Sequence, residues 1–119
     1  MRVMVLVKAT EESERGVLPT AELLAAMEAF NQELSKAGII RAGDGLKPSS
    51  EGVRVAFDGA QRTLVNGPFA ATSELVAGFW LWEVKDIAQA ISWASRCPNP
   101  MPGPSELEIR PLYEEADFS

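Results

Sequence analysis

The order of strand-like and helix-like segments in this chain predicts an α+β fold, in which two helices cover one face of an antiparallel sheet. Three observations lead to this prediction. First, two segments have the alternation of a strand with apolar residues on both faces. Second, two other segments place apolar residues at the three- and four-residue spacing of a helix. The third observation is the length of 119 residues, which corresponds to a single domain spanning residues 1–119.

The first third of the chain predicts a strand, a loop and a helix. Arg2 to Lys8 alternates with apolar residues on both faces, so both faces should be covered. The acidic segment from Thr10 to Gly16 is expected to be a solvent-exposed loop. Leu18 to Ala37 then has one apolar helical face, with Thr20 as the N-cap and Gly38 directly after the C-terminus.

The middle of the chain predicts three extended segments separated by turns. Extended structure resumes from Ile39 to Lys47, and a short strand follows from Gly52 to Phe57. Asp58-Gly59 is a dipeptide that favours a two-residue hairpin turn, so Arg62 to Val65 should return beside that strand. The hairpin ends at Asn66-Gly67-Pro68, where proline prevents regular continuation.

The last third predicts a buried strand, a helix and a final strand. Leu75 to Val84 is nearly all apolar, and Asp86 with Gln89 has the spacing of a capping box. Four prolines between Cys97 and Ser105 exclude a helix there, and a final strand is expected from Leu107 to Leu112. The buried stripe of this second helix is expected to comprise Ile87, Ala90, Ile91 and Ala94.

The resulting order, β-α-β-β-(β)-β-α-β, is typical of a ferredoxin-like layer with both helices on one face of the sheet. The other face still carries apolar side chains from Arg2–Lys8 and Leu75–Val84. Two helices cannot cover both faces, and a bare sheet face of that size would form a large apolar patch. We therefore predict a homodimer that forms through the open sheet face.

Composition excludes several classes of function. A net charge of −6 argues against binding to nucleic acid or to an anionic membrane surface. The chain has no histidine, which excludes Ser-His-Asp and Cys-His catalysis, and its one cysteine, Cys97, is expected to be a small hydrophobe. We predict no metal and no cofactor. No segment has the length of a membrane span or a signal peptide, so a cytoplasmic location is expected.

One motif supports a family resemblance. Residues Asn66 to Glu74, NGPFAATSE, match the pattern D-G-P-F-A-E-T-K-E at six of nine positions. The G-D-G-L segment before a Pro-Ser turn, the F-W-L-W strand and the R-C-P-N-P-M-P-G-P run occur in the order expected of the same family. On these residues the chain resembles the YCII-related, or DGPF-type, family over nearly its whole length. The resemblance implies a dimeric α+β barrel built on a ferredoxin-like unit.

The resemblance implies less about chemistry. Function is mostly unassigned in the family, although a His/Asp pair in a cleft is associated with its wider membership and one lineage with dehydrochlorination of a hydroxylated aromatic. Here Asn66 replaces the leading Asp of the motif, Ala71 its Glu and Ser73 its Lys, and Lys47 stands where relatives often have His. An amide cannot act as a general base, so the His/Asp chemistry does not transfer and the site looks degenerate.

Each candidate site residue has a structural alternative. Asn66 and Glu74 are the candidate catalytic residues, the first as a hydrogen-bonding group and the second as a general base; the alternatives are a turn residue and a surface carboxylate. The two tryptophans either form a wall for a flat ligand or pack in the core or a dimer interface. Lys47 and Arg54 either bind an anionic group or are solvated surface charges. The candidate ligand-binding residues are Lys47, Arg54, Phe69, Trp80 and Trp82.

Two main hypotheses for function follow. The first is a small homodimeric ligand-binding or regulatory protein for a small aromatic or anionic ligand. The alternative is a cofactor-independent enzyme, lyase- or monooxygenase-like, acting on a small hydroxylated aromatic. In that case Asn66 and Trp80 would position the substrate, Arg54 would stabilise an oxyanion and Glu74 would move a proton. A purely structural partner protein is the third hypothesis.

Overall fold

The computed structural model describes residues 1–119 and contains six strands and three α-helices. None of the helices has the length and apolar character needed to span a membrane. The strands are β1 (Arg2–Lys8), β2 (Ile40–Gly45), β3 (Val53–Asp58), β4 (Gln61–Asn66), β5 (Val76–Glu83) and β6 (Leu107–Pro111). The helices are α1 (Glu11–Glu14), α2 (Ala21–Lys36) and α3 (Ile87–Ser95), and short 3-10 turns cover Ser49–Glu51, Thr72–Glu74 and Glu115–Phe118.

Four strands form an antiparallel sheet in the order β2-β5-β1-β6. With α2 and α3 as its two connecting helices, this is the ferredoxin-like α+β arrangement that the sequence predicts. The hairpin β3–β4 is a separate two-stranded sheet inserted between β2 and β5. The predicted hairpin is present, but its turn is Gly59-Ala60 and not Asp58-Gly59, because Asp58 pairs with Gln61 at the end of β3. Gly59 has φ of +59°, a conformation that glycine adopts without strain.

The core lies between the sheet and the two long helices. Alternate residues of β1 and β5 point towards the helices and are buried, and Phe30 and Leu34 of α2 pack against them. The predicted caps are present: the Thr20 side chain accepts a hydrogen bond from the Leu23 N–H at 3.1 Å, and Asp86 accepts one from the Gln89 N–H at 2.9 Å. These local signals fix where α2 and α3 begin.

The opposite sheet face has no helix on it. The residues of β1 and β5 that alternate with the buried ones are only partly buried, since they point away from α2 and α3. We call this surface the open sheet face; its large apolar residues are Met4, Leu6, Phe79 and Leu81.

Two element predictions are wrong. Residues predicted as an acidic loop include the four-residue helix α1, which begins directly after its N-cap Thr10. The Thr10 and Ser13 side chains each accept a hydrogen bond from the other's backbone N–H. Ile87 and Ile91 of α3 are exposed, whereas Ala90 is buried. The reason is that α3 lies against the edge strand β6, where the sheet ends and offers no further strand to cover that flank.

The β3–β4 hairpin stands away from the rest of the molecule, and every residue in its two strands is exposed. We call residues 53–66 the arm. The radius of gyration is 16.2 Å, whereas a compact chain of this length is expected to have about 13.5 Å. The arm therefore extends the molecule beyond its packed body.

Candidate functional site

An open cavity of about 650 Å³ lies where β2 ends, the arm begins and β5 begins. Four residues proposed from the sequence line it: Lys47, Arg54, Phe69 and Glu74. They come from the segment after β2, from β3, from the turn after β4 and from the 3-10 turn before β5. The fold thus gathers side chains that are up to 27 residues apart in the sequence.

Arg54 and Phe69 form the best-defined contact of this cavity. The central carbon of the Arg54 guanidinium lies 3.8 Å from the centroid of the Phe69 ring, which is a cation–π contact. Arg54 makes no hydrogen bond or ion pair in the structure, so all its N–H donors remain available to a ligand. The stacked ring restrains the guanidinium and leaves its edge free to bind oxygen atoms.

Lys47 and Glu74, the other charged residues proposed for the cavity, differ in the contacts that their side chains make. Lys47 forms an ion pair with Glu51 at 3.9 Å, but both side chains are exposed, so water screens this pair. Glu74 ends the 3-10 turn Thr72–Glu74 and its side chain makes no ion pair or hydrogen bond. Arg54 and Glu74 are therefore one free cation and one free carboxylate on the same cavity.

Sequence reasoning missed Glu14 and Ser49, which also line the cavity. The Ser49 N–H donates to the Glu14 carboxylate at 3.1 Å and the Ser49 hydroxyl also donates to it. The Ser49 hydroxyl in turn accepts a hydrogen bond from the Phe69 N–H at 3.0 Å. These bonds join α1, the segment after β2 and the turn that holds Phe69. No local pattern predicts a contact between residues 35 positions apart.

The Asn66-Gly67-Pro68 turn closes the base of the arm. Asn66 is the last residue of β4, is exposed and pairs with Val53, and it does not line the cavity. The Gly67 N–H donates to the Gly52 carbonyl at 3.0 Å, and a Cβ at Gly67 would overlap the Ser49 carbonyl oxygen. The Gly67–Pro68 peptide is cis. The backbone contacts of Gly67 are consistent with the structural role that was the alternative for Asn66.

Trp80 and Trp82 lie in the core and do not form a ligand wall. They are 5% and 0% exposed, and their rings lie 5.9 and 6.4 Å from the ring of Phe30 on α2. The Trp80 Nε1–H donates to Asn31 Oδ1 at 2.9 Å. The wall interpretation fails because strand alternation turns both rings towards α2. A site that combines Asn66 and Trp80 with Arg54 and Glu74 is not formed.

The one cysteine is half-buried, and the acidic side chains do not form a metal-binding group. Burial raises the pKa of the Cys97 thiol to about 11, so this half-buried side chain is protonated at neutral pH and a poor nucleophile. No group of three or more Cys, Asp or Glu side chains lies close enough together to hold a metal ion.

Comparison with known proteins assigns the family. The family model described as the YCII-related domain matches residues 1–114. The chain belongs to the YCII-related family. Among curated proteins, this YCII-related chain is 26% identical over 102 residues to an uncharacterised protein of Rhizobium meliloti (strain 1021), covering 86% of the chain and 77% of that protein.

A solved structure shares the fold of this YCII-related protein. It is 5-chloro-2-hydroxyhydroquinone dehydrochlorinase from Burkholderia phenoliruptrix AC1100, in complex with 2,5-dihydroxybenzoquinone. The two align with a TM-score of 0.54 over 98% of each chain and are 16% identical. At that identity the likeness extends to the fold alone.

Proposed function

We propose that this YCII-related protein binds a small, flat, oxygen-bearing aromatic molecule in the cavity between the arm and the sheet. The observation that carries the proposal is the convergence of Arg54, Phe69 and Glu74 on one open cavity, with both charged groups free of protein partners. A volume of about 650 Å³ is in the range typical of small-molecule sites.

The three side chains offer complementary chemistry to such a ligand. The Arg54 guanidinium donates two parallel hydrogen bonds to a carboxylate, or single ones to a carbonyl or phenolate oxygen. The Phe69 ring supplies an apolar surface beside it. Glu74 accepts a hydrogen bond from a ligand hydroxyl, because an ionised carboxylate has only acceptor oxygens. A ring with one hydroxyl and one anionic or carbonyl oxygen meets all three requirements.

The ligand of the structural neighbour belongs to this class. Dihydroxybenzoquinone is flat and carries both hydroxyl and carbonyl oxygens, and that dehydrochlorinase was solved with it. This supports the same class of ligand for the present protein. The residues proposed to bind it are those that line its own cavity, and none is taken from the neighbour. We take ligand binding or regulation as the first function because Asn66 replaces the acidic residue of the family motif and lies outside the cavity.

A second candidate function is a cofactor-independent enzyme on a hydroxylated aromatic. The observation that favours it is that Glu74 and Arg54 share one cavity, so that Glu74 could accept a proton from a phenolic hydroxyl while Arg54 stabilises the resulting phenolate. Turnover of a chlorinated hydroquinone, measured as the release of chloride, tests this candidate. If the Glu74→Gln protein turned over at the wild-type rate, Glu74 would be excluded as the general base.

We also propose that the protein is a homodimer that associates through the open sheet face. The support is physical: Met4, Leu6, Phe79 and Leu81 lie on a sheet face that no helix covers. A twofold axis covers the same face in both copies at once.

Isothermal titration calorimetry with 2,5-dihydroxybenzoquinone and 4-hydroxybenzoate tests the ligand proposal. We expect Arg54→Ala to weaken binding by about tenfold or more, because a charge-assisted hydrogen bond is lost. Arg62→Ala is the matched control: Arg62 lies on the same arm and stacks on Phe57 at 4.4 Å, away from the cavity. Equal losses in both variants, or no heat with the wild type at millimolar ligand, would contradict the proposal. Tryptophan fluorescence is a poor readout, since Trp80 and Trp82 are in the core.

A further inference from the structure

The Ser49 hydroxyl is held in one orientation by two partners of opposite character. An ionised carboxylate only accepts hydrogen bonds, so the Ser49 proton is directed to Glu14. The Phe69 N–H only donates, so the Ser49 oxygen accepts from it, at 3.0 Å. The Ser49 N–H donates to the same Glu14 carboxylate at 3.1 Å. Because Ser49 and Glu14 are half-buried, water competes less for these bonds than it does at a fully exposed site.

Glu14 is joined to the body of the molecule through α1. The hydroxyl of the N-cap Thr10 donates to Met101 Sδ at 3.4 Å, and Met101 packs against the hydrophobic core. Just before α1, the Ala9 N–H donates to the Leu75 carbonyl at 3.0 Å. A helix of four residues is too short to be stable by itself, so these contacts are what place the Glu14 carboxylate beside Ser49.

Phe69 passes this restraint on to Arg54. The Phe69 amide is bonded to Ser49, and its ring lies at van der Waals distance from Gly52, where a Cβ would be 3.6 Å from the ring Cε2. The Arg54 guanidinium lies 3.8 Å from the centre of the same ring and has no hydrogen bond or ion pair. A long side chain without a polar partner samples many rotamers in water, so the position of the ring decides where the guanidinium lies.

We propose that Glu14 and Ser49 are positioning residues for the ligand cavity, which act through Phe69 on Arg54. This inference rests on the proposed function and identifies the residues that keep its cation in place. A restrained guanidinium loses less conformational entropy when a ligand binds. It also presents its N–H groups at a fixed angle, which bidentate recognition of two ligand oxygens requires.

The hydrogen bonds of Ser49 and Glu14 favour this role over direct contact with the ligand. The Ser49 hydroxyl has already donated its single proton, and the Glu14 carboxylate already accepts from the Ser49 N–H and hydroxyl. Arg54 and Glu74, in contrast, have no hydrogen-bond or ion-pair partner on the same cavity. A ligand that bound to Ser49 would have to break a bond within the protein, whereas one that binds to Arg54 and Glu74 breaks none.

Nuclear magnetic resonance of the ligand-free protein tests the inference directly. A proton above the face of an aromatic ring is shifted upfield by the ring current, so the Arg54 Nε–H should resonate upfield of its position in Phe69→Leu, which lacks the ring. Ser49→Ala and Glu14→Ala should each remove about half of this displacement or more, because the ring is then no longer held under the guanidinium. If both variants kept the full displacement, the inference would be overturned.

Ser50→Ala and Glu11→Ala are the matched controls. Ser50 follows Ser49 in the same 3-10 turn and Glu11 lies on α1 with Glu14, but both are exposed and outside the cavity. Neither control should change the Arg54 resonance, and losses as large as those of Ser49→Ala and Glu14→Ala would count against a specific path. Glu14 ends a surface helix, so Glu14→Ala provides the test even if Ser49→Ala does not fold.

Calorimetry with 4-hydroxybenzoate measures the consequence for binding. Ser49→Ala should raise the dissociation constant by about threefold or more in the wild-type background. In the Arg54→Ala background it should raise it by less than about twofold, because an effect that passes through Arg54 is lost with Arg54. Equal increases in the two backgrounds would overturn the positioning role and leave the proposed function standing. A wild type that gives no heat with the ligand would overturn the proposed function, and the positioning of a bound ligand with it.

Discussion

Gly67 shows how one residue connects the arm to the cavity. Its N–H bonds to the Gly52 carbonyl, and its Cα lies against the Ser49 backbone, whose side chain holds the amide of Phe69. A side chain at position 67 would push apart the two strands at the base of the arm and move Phe69 with them. The glycine of the NGPF motif is therefore explained by packing and needs no contact with a ligand.

We predict that Gly67→Ala lowers the free energy of unfolding by about 2 kcal/mol or more, because a backbone oxygen cannot give way as a flexible side chain can. Urea denaturation followed by circular dichroism measures the change. Gly45→Ala is the matched control, since a Cβ at Gly45 would meet no atom within 4 Å. A fully stable Gly67→Ala protein would contradict the tight contact with Ser49.

The residues of the site were predictable to different degrees. Arg54, Phe69 and Glu74 could be proposed because charged and aromatic side chains flank a turn motif. Trp80 and Trp82 were left between a ligand wall and the core, because alternation shows that they share a face but does not show which face the helices cover; the core alternative is the one observed. Glu14 was missed because its partner, Ser49, is brought to it only by the tertiary fold.

At the scale of elements, strong local signals were sufficient. The boundaries of β1 and the start of α2 follow from alternation and from a capping side chain, both of which act within a few residues. The rotation of α3 could not be predicted, because Ile87 and Ile91 satisfy the helical spacing as well as Ala90 does. Which flank is buried depends on where α3 meets the edge strand β6.

The C-terminal segment is joined to β1 by a pair that should respond to acid. Arg2 donates to both carboxylate oxygens of Glu114 at 3.1 Å, and these hydrogen bonds hold the pKa of Glu114 below its ordinary value of 4.5. A carboxylate with a lowered pKa in the folded state stabilises the fold above its unfolded pKa. That contribution is lost as the pH falls through the folded pKa. Both side chains are about 40% exposed, so solvent limits its size.

We predict that Glu114→Gln reduces the melting temperature at pH 7 and has less effect at pH 3, because the stabilisation from this carboxylate decreases as the pH falls towards its lowered pKa. Thermal unfolding of both proteins across this range measures the difference. Glu115→Gln is the control, since it removes a neighbouring charge that forms no ion pair. The same drop for Glu114→Gln at both pH values would show that the charge of Glu114 does not stabilise the segment.

At the scale of the whole molecule, the body is well packed but two surfaces have no partner. The ferredoxin-like topology follows from element order, and the family resemblance is confirmed by the match to the YCII-related domain. The projecting direction of the arm was not predicted, because a hairpin signal specifies the turn and the pairing but not the packing of the ribbon on other elements. Oligomeric state is likewise a property of surfaces that lie far apart in the sequence.

If the open sheet face is covered by a second copy, the melting temperature of the protein must depend on its concentration. Unfolding then converts one dimer into two chains, so a hundredfold increase in concentration adds about 2.7 kcal/mol to the stability of the folded state. For two chains of 119 residues this corresponds to a rise of about 5 °C. Differential scanning calorimetry at about 2 µM and about 200 µM measures this rise. A melting temperature that does not change, together with a sedimentation mass of 12.9 kDa, would mean that the open sheet face is exposed to water in the functional protein.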